Sequence, residues 1–186
     1  MTGSLTSSQR FDASARRVVI IAARFNAALV DQLIEGAANA WREHGGDPSR
    51  LLLERVPGAF ELPLTAKMFA ASGGVDAVIA LGCVIRGDTP HFDYVAGECA
   101  RGLMDAGLHT GIPVIFGVLT TENLAQAEER ADLRRMNKGR ESMEAALEMI
   151  QLLSPSTPLR GRPASPPRGR ASPPKQRRTG KKRVRK

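Results

Sequence analysis

Short apolar runs alternate with amphipathic segments along most of this chain. Four runs have the length and composition of buried strands, at residues 17–23, 51–56, 76–85 and 113–120. Between them, apolar residues recur at helical spacing, as Val30, Leu33, Ala37 and Trp41 do in the first such segment. Because strands and helices that alternate with short connections build parallel sheets, we expect a three-layer α/β fold. A four-stranded parallel sheet would be flanked by helices on both faces.

The charge of the chain divides it into parts of different character. Residues 1–153 hold 15 Lys/Arg and 19 Asp/Glu, whereas residues 154–186 hold 12 Lys/Arg and no acidic residue. The second part is rich in Pro, Ser, Gly and Arg and has too few large apolar residues to offset the entropy of ordering. We therefore predict a flexible polar arm at 1–15, a folded domain at 16–153 and a disordered basic tail at 154–186.

The two cysteines and the absence of long apolar runs indicate in which cellular compartment the protein is found. Cys83 and Cys99 lie on a predicted strand and a predicted helix, without the spacing of metal ligands. Two buried thiols are typical of a protein in a reducing compartment. No run is long enough to span a membrane, and no apolar leader follows the N-terminus. We therefore expect a cytoplasmic protein that makes no contact with membranes.

Candidate functional residues follow the first three predicted strands. Phe25 and Asn26 follow the first, Phe60 and Glu61 follow the second, and residues 86–91 follow the third. Parallel strands end at one edge of the sheet, which is where open α/β sheets bind ligands. An aromatic ring, an amide and a carboxylate at this edge suit a ligand with a flat ring and hydroxyl groups.

The segment after the third strand combines an anion-binding backbone with a titratable side chain. Gly87 allows a tight turn, Thr89 is predicted as a helix N-cap, and Pro90 fits the first helical position. His91 would then lie in the first helical turn. The free N–H groups at such a helix start bind phosphate and other anions. Taken alone, His91 is more often a surface histidine, Arg130 a solvated helix charge, and Phe60 or Phe116 a core residue.

Six motifs together closely resemble those of the 6,7-dimethyl-8-ribityllumazine synthases, the enzymes of the penultimate step of riboflavin biosynthesis. They occur in family-like order and spacing and span about residues 17–153, so the domain at 16–153 is expected to be a lumazine synthase domain. They are Arg-Phe-Asn at 24–26, Val-Pro-Gly-Ala-Phe-Glu at 56–61, the run 82–95, Phe-Gly-Val-Leu-Thr-Thr-Glu-Asn at 116–123, Glu-Arg-Ala at 129–131 and Asn-Lys-Gly at 137–139.

The resemblance implies a flavodoxin-like fold and a transferase. Its reaction condenses 5-amino-6-(D-ribitylamino)uracil with 3,4-dihydroxy-2-butanone 4-phosphate to 6,7-dimethyl-8-ribityllumazine, releasing phosphate and water, without a metal or an organic cofactor. His91 would move protons. The pyrimidine and its ribityl chain would be bound by Phe25, Asn26, Ala59, Phe60, Glu61, Cys83, Val84, Ile85, Phe116 and Lys138. The phosphate would be bound by Gly87, Asp88, Thr89 and Arg130, and the Asp88 side chain must point away or be offset by Arg130.

The same resemblance predicts an oligomer in which Phe116 and Lys138 come from a neighbouring subunit. Shell-forming members tend to carry a glycine-containing loop before Asn-Lys-Gly, and residues 132–137 lack those glycines. We therefore expect a homopentamer or a pair of pentamers rather than a sixty-subunit capsid.

Two other functions compete with the enzyme. A flavin or lumazine carrier on the same fold would need neither proton transfer nor a site for a leaving phosphate, so the combination of Phe25, His91 and Arg130 argues against it. A nucleic-acid-binding protein would use the twelve cations of the tail, which bind phosphate backbones without sequence preference. Because the tail has no aromatic residue for base stacking and the body is acidic, we expect nucleic-acid contact to be incidental.

Overall fold

The computed structural model describes residues 11–154, and the predicted tail and most of the predicted N-terminal arm lie outside them. Strands and helices alternate in the predicted order. The strands are β1 (Val18–Ala23), β2 (Leu51–Val56), β3 (Ala77–Ile85) and β4 (Val114–Thr121). The helices are α1 (Ala27–Glu43), α2 (Leu62–Ala71), α3 (His91–Thr110), α4 (Leu124–Ala131) and α5 (Lys138–Leu153), with single 3-10 turns at Pro48–Arg50 and Ala59–Glu61.

The four strands form one sheet in the order β2-β1-β3-β4, and every pair is parallel. Val18 of β1 lies opposite Leu51 of β2 and Ala77 of β3. The inner strands β1 and β3 are apolar and buried over nearly their whole length because helices cover both of their faces. The predicted four-stranded parallel sheet is therefore confirmed.

Successive residues of β1 face opposite sides of the sheet, and each side has its own core. Ile20 packs with the buried side chains of α1, α4 and α5, among them Trp41, which was predicted as core. Ile21 packs instead with residues of α2 and α3, such as Leu62 and Leu103. This alternation follows from the pleat of a strand. The protein thus has the predicted three layers, with the sheet between two layers of helices.

Helices α1 and α5 approach each other at glycines. An added Cβ on Gly139 would lie 2.7 Å from the carbonyl carbon of Leu33, and nearer still to its oxygen. On the other helix, a Cβ on Gly36 would lie 3.2 Å from the backbone nitrogen of Arg140. Asn137 precedes α5 in a left-handed conformation, with a φ of 45°, and its side chain accepts a hydrogen bond from the Arg140 N–H. Close helix packing therefore fixes the start of α5.

The chain packs against the core earlier than predicted. Phe11 and Ala13 are buried, and both belong to the core on the side of α1 and α5. The Phe11 N–H donates to Nδ1 of His44 (3.3 Å), and the Ala13 N–H donates to the His44 carbonyl oxygen (3.1 Å). The boundary placed at residue 16 is therefore too late for residues 11–15. Their anchor is the distant His44, at the end of α1, so local sequence could not predict it.

Candidate functional site

The loops after β1 and β2 are tied together at the carboxyl edge of the sheet. The Arg24 N–H donates to the Val56 carbonyl (2.8 Å), and the Phe25 N–H donates to the Pro57 carbonyl (3.2 Å). The rings carried by these loops stay outside the core, because Phe25 is 71% and Phe60 is 59% exposed. Exposed aromatic rings on two loops that lie side by side offer flat surfaces on which a planar ligand can stack.

Asn26 connects the end of β1 to β3. It adopts a left-handed conformation with a φ of 57°, which asparagine tolerates better than most residues. Its Nδ2 donates to the Cys83 carbonyl at 3.0 Å. This hydrogen bond therefore links the end of β1 to β3, the strand that leads into residues 86–91. The side chain of Cys83 is buried in the core, so only its backbone faces this edge, while Val84 and Ile85 are half-buried.

Glu61 closes the turn after β2. Its Oε2 accepts a hydrogen bond from the Gly58 N–H at 2.9 Å, and the intervening residues form a 3-10 turn. Ala59 is buried, so its methyl group packs in the core and leaves its backbone as the part that could contact a ligand. The Glu61 carboxylate is exposed and keeps an oxygen free of that bond.

The segment between β3 and α3 is exposed from Gly87 to His91. Helix α3 begins at His91, and Pro90 occupies the N-cap position without a side-chain cap. The predicted cap at Thr89 and the predicted place of Pro90 inside the helix are therefore wrong by one residue. His91 lies in the first turn of α3, as expected, next to the exposed backbone of Gly87, Asp88 and Thr89.

The predicted residues on β4, α4 and α5 line a separate cavity of about 360 Å³ at the β4 edge of the sheet. Phe116, which is 43% exposed, and the side chains of Arg130 and Lys138 are all in its wall. Arg130 donates to the Gln126 carbonyl (2.9 Å), and no carboxylate of residues 11–154 forms an ion pair with it. Its charge is thus available to an anion.

The cavity does not include the residues that follow the first three strands. Phe116 is in register with Ala80, which in turn pairs with Ile21, four residues before Phe25. At the rise of an extended strand this offset is about 13 Å along the sheet, and β3 separates the two strands. Within one chain, the predicted residues therefore form two groups.

Comparison with known proteins identifies the family to which this chain belongs. The sequence profile of 6,7-dimethyl-8-ribityllumazine synthase matches residues 15–154. Proteins of that name from Thermus thermophilus and Chlorobium chlorochromatii are 53% identical over 137 residues and 49% identical over 140 residues. These matches cover 74% and 75% of this chain and 87% and 90% of the relatives. The chain belongs to the 6,7-dimethyl-8-ribityllumazine synthase family.

Family membership confirms the predicted enzyme class and the predicted fold. A further relative from Nitratidesulfovibrio vulgaris, 49% identical over 144 residues, carries the same name and is matched over 92% of its length. As a lumazine synthase family member, the chain is a transferase. Among residues 11–154, no group of three or more His, Cys, Asp or Glu side chains could hold a metal ion. None of the helices described is both long and apolar enough to cross a bilayer.

Among residues 11–154, neither cysteine has a charged partner that would activate it. Burial raises the pKa of the Cys83 thiol to about 11 and that of Cys99 to about 12. Both thiols therefore stay protonated near neutral pH, and neither is suited to act as a nucleophile.

Glu141 and Ser142 are among the cavity residues that sequence reasoning missed. Glu141 pairs with Lys138, with Nζ and Oε2 2.6 Å apart, and the buried Ser142 donates to the Lys138 carbonyl at 2.7 Å. Both lie three or four residues after Lys138 on α5. The i,i+3 spacing of opposite charges was the signal that could have revealed the first of them.

Proposed function

We propose that the chain carries out the reaction of its family at a site shared by two copies of the chain. The reaction condenses 5-amino-6-(D-ribitylamino)uracil with 3,4-dihydroxy-2-butanone 4-phosphate to 6,7-dimethyl-8-ribityllumazine and releases phosphate and water. The observation that carries the proposal is the division of the predicted residues. One group follows β1, β2 and β3, and the other lines the cavity beside β4.

The first group supplies the residues for binding and proton transfer. The exposed ring of Phe25 would stack on the pyrimidine, and Asn26, Glu61 and the Ala59 backbone would bind its polar groups and the ribityl chain. The exposed backbone of Gly87, Asp88 and Thr89, just before α3, would bind the phosphate. His91 lies in the first turn of α3, where an imidazole could take the proton of the condensing amine and later protonate the leaving oxygen.

The second group would complete the site from a neighbouring copy. Arg130 offers a guanidinium without a carboxylate partner in residues 11–154, and a guanidinium matches the oxygens of a phosphate. Phe116 would cover the opposite face of the pyrimidine, and Lys138 would close the site. Such a head-to-tail contact between identical subunits closes into a ring when the rotation between subunits allows it, as it would in a homopentamer.

The surface of the described chain supports an oligomer. Large apolar side chains are exposed on α2 and α3, and their burial against other subunits would remove them from water. They are Leu64, Met68, Tyr94, Met104 and Leu108, each 65–74% exposed. We propose a pentamer or a pair of pentamers, because the loop at 132–137 still lacks the glycines of shell-forming members.

Location and nucleic-acid contact are also proposals. The two free, buried cysteines support a reducing cytoplasm. The twelve cations of residues 154–186 support a weak, incidental contact with nucleic acids. A protein truncated after residue 154 should lose any low-salt gel shift of RNA that the full chain gives, while its turnover stays unchanged. Lost turnover would instead assign the tail to the enzyme.

Mixed oligomers test the shared site. One variant, Phe25→Ala with His91→Ala, lacks the first group, and a second variant, Arg130→Ala, lacks the second. We expect each to be nearly inactive alone. After the two are unfolded and refolded together in equal amounts, about a quarter of the interfaces combine two intact groups, so activity should return to roughly a quarter of wild type. Formation of lumazine is followed by its absorbance.

A matched mixture distinguishes the two arrangements. Wild type is refolded with an equal amount of a chain that carries all three substitutions, Phe25→Ala, His91→Ala and Arg130→Ala. A shared site again leaves about a quarter of the activity, whereas a site within one subunit leaves about half. No recovery in the first mixture, together with half in the second, would show that Arg130 acts within its own subunit.

A further inference from the structure

Arg86 links the two ends of the exposed segment between β3 and α3. Its Nη1 and Nη2 reach the two carboxylate oxygens of Asp93 at 3.2 and 3.0 Å, and its Nε lies 2.8 Å from Oε2 of Glu122. The guanidinium also lies over the Phe92 ring, with its central carbon 4.1 Å from the ring centroid. The Arg86 N–H donates to the Thr121 carbonyl (2.9 Å), so main chain and side chain are both held.

These contacts enclose the proposed phosphate-binding backbone and His91. Arg86 is the residue before Gly87, and Asp93 lies in the first turn of α3, two residues after His91. The two-pronged contact between a guanidinium and a carboxylate fixes direction as well as distance. Glu122 directly follows β4, so the same guanidinium ties this segment to the neighbouring strand. A segment closed at both ends in this way has few conformations left.

The charges around Arg86 argue against its acting as the phosphate ligand itself. Two carboxylates already face its single positive charge. The hydrogen bond that Arg86 donates to Asp93, followed by the charges of Asp93 and Glu122, raises the pKa of Arg86 above its ordinary value. Removal of Arg86 would both release the segment and leave Asp93 and Glu122 unneutralised near an incoming anion. Arg130, in contrast, has no such partner in residues 11–154.

We propose that Arg86 is a positioning residue, which holds the Gly87–Thr89 backbone and His91 in the geometry that the phosphate-bearing substrate requires. The proposal rests on the function proposed above for this segment. It differs from the assignments above because Arg86 acts through Asp93, Phe92 and Glu122 and makes no contact with substrate.

The test separates the two substrates. Arg86→Gln should raise the KM for 3,4-dihydroxy-2-butanone 4-phosphate about tenfold, because small displacements of binding groups cost factors of this order or more. The KM for the pyrimidine and the melting temperature should stay close to wild type. The inhibition constant of inorganic phosphate should rise by the same factor. Arg86→Lys, which keeps the charge but loses the fork, should fall between Arg86→Gln and wild type.

Two further variants separate position from charge. Asp93→Asn removes the partner of the fork and changes the net charge in the opposite direction to Arg86→Gln. We expect both variants to raise the KM for the phosphate substrate. A higher KM with Arg86→Gln and a lower one with Asp93→Asn would mean that only the local field matters, and would overturn the positioning role. Arg101→Gln is the control, because Arg101 pairs with Glu98 and Asp105 further along α3.

The outcomes distinguish this proposal from the function on which it rests. If Arg86→Gln leaves the phosphate KM unchanged while Arg130→Ala raises it, Arg86 is only a surface ion pair and the phosphate site stands. If neither variant changes it, the phosphate site itself is misplaced. An equal rise in both KM values with Arg86→Gln would indicate a general loss of structure and would also refute the positioning role.

Discussion

A methyl group at Gly139 should separate α1 from α5. In Gly139→Ala the new Cβ would lie 2.7 and 2.8 Å from the carbonyl carbon and Cα of Leu33, and closer to its oxygen. These are backbone atoms inside a helix, which cannot turn aside as a side chain can. Ordinary contact between such atoms needs about 3.5 Å, so α5 must move away from α1 by about 1 Å.

The energetic cost follows from the side chains between these helices. Leu33 and Met143 are fully buried and Leu147 nearly so, and all three belong to the same core. A gap of about 1 Å removes up to roughly half of the dispersion energy of each contact it opens. Substitutions that overpack a core lower the free energy of unfolding by about 1–3 kcal/mol. Because the added methyl group meets backbone atoms here, we expect a loss of about 3 kcal/mol. For a domain of this size, the melting temperature should fall by roughly 6–12 °C.

Thermal unfolding followed by circular dichroism measures this effect. Gly97→Ala is the matched control, because Gly97 also lies in a helix but has nothing within 4 Å of an added Cβ. Replacement of an exposed helical glycine by alanine should stabilise the fold by up to about 1 kcal/mol. Gly139→Ala with a melting temperature within about 2 °C of wild type would show that α1 and α5 do not pack through this backbone contact.

Two further predictions concern the core. Because burial raises the pKa of Cys83 to about 11 and of Cys99 to about 12, iodoacetamide at pH 8 should leave the native thiols unmodified and alkylate both after unfolding. Alkylation of the native protein at the rate of a free thiol would contradict this. In the unfolded chain the thiols ionise first, near their ordinary pKa of 9.0. The two thiols should therefore make the stability to urea fall as the pH rises from about 9 towards 11. Phe11→Ala should lower the free energy of unfolding by about 3 kcal/mol, since Phe11 is buried beside His44, whereas Ser14→Ala, at an exposed position, should have little effect. Equal stability of both variants would place Phe11 outside the core.

The order of elements, the parallel sheet and the place of His91 could be predicted from the sequence. β2 has the predicted bounds, 51–56, and the other strands differ from prediction by one residue at each shifted end. This success has a local cause, since the period of apolar residues and the breaks at glycine and proline are properties of neighbouring residues. The cap at the start of α3 was misjudged by one residue, because sequence cannot tell whether Pro90 precedes or begins the helix.

Contacts between distant residues were decided only by the tertiary structure. Phe11 is buried because His44, 33 positions later, accepts its N–H, and no local pattern marks that partner. Arg86 forms ion pairs with Asp93 on α3 and with Glu122 after β4. Because these partners come from two different parts of the chain, the sequence around Arg86 did not predict both of them. The separation of Phe116 from Phe25 depends on the strand order β2-β1-β3-β4 and on register. Sequence thus predicted which residues could carry the chemistry, and long-range packing decided which of them one chain can bring together.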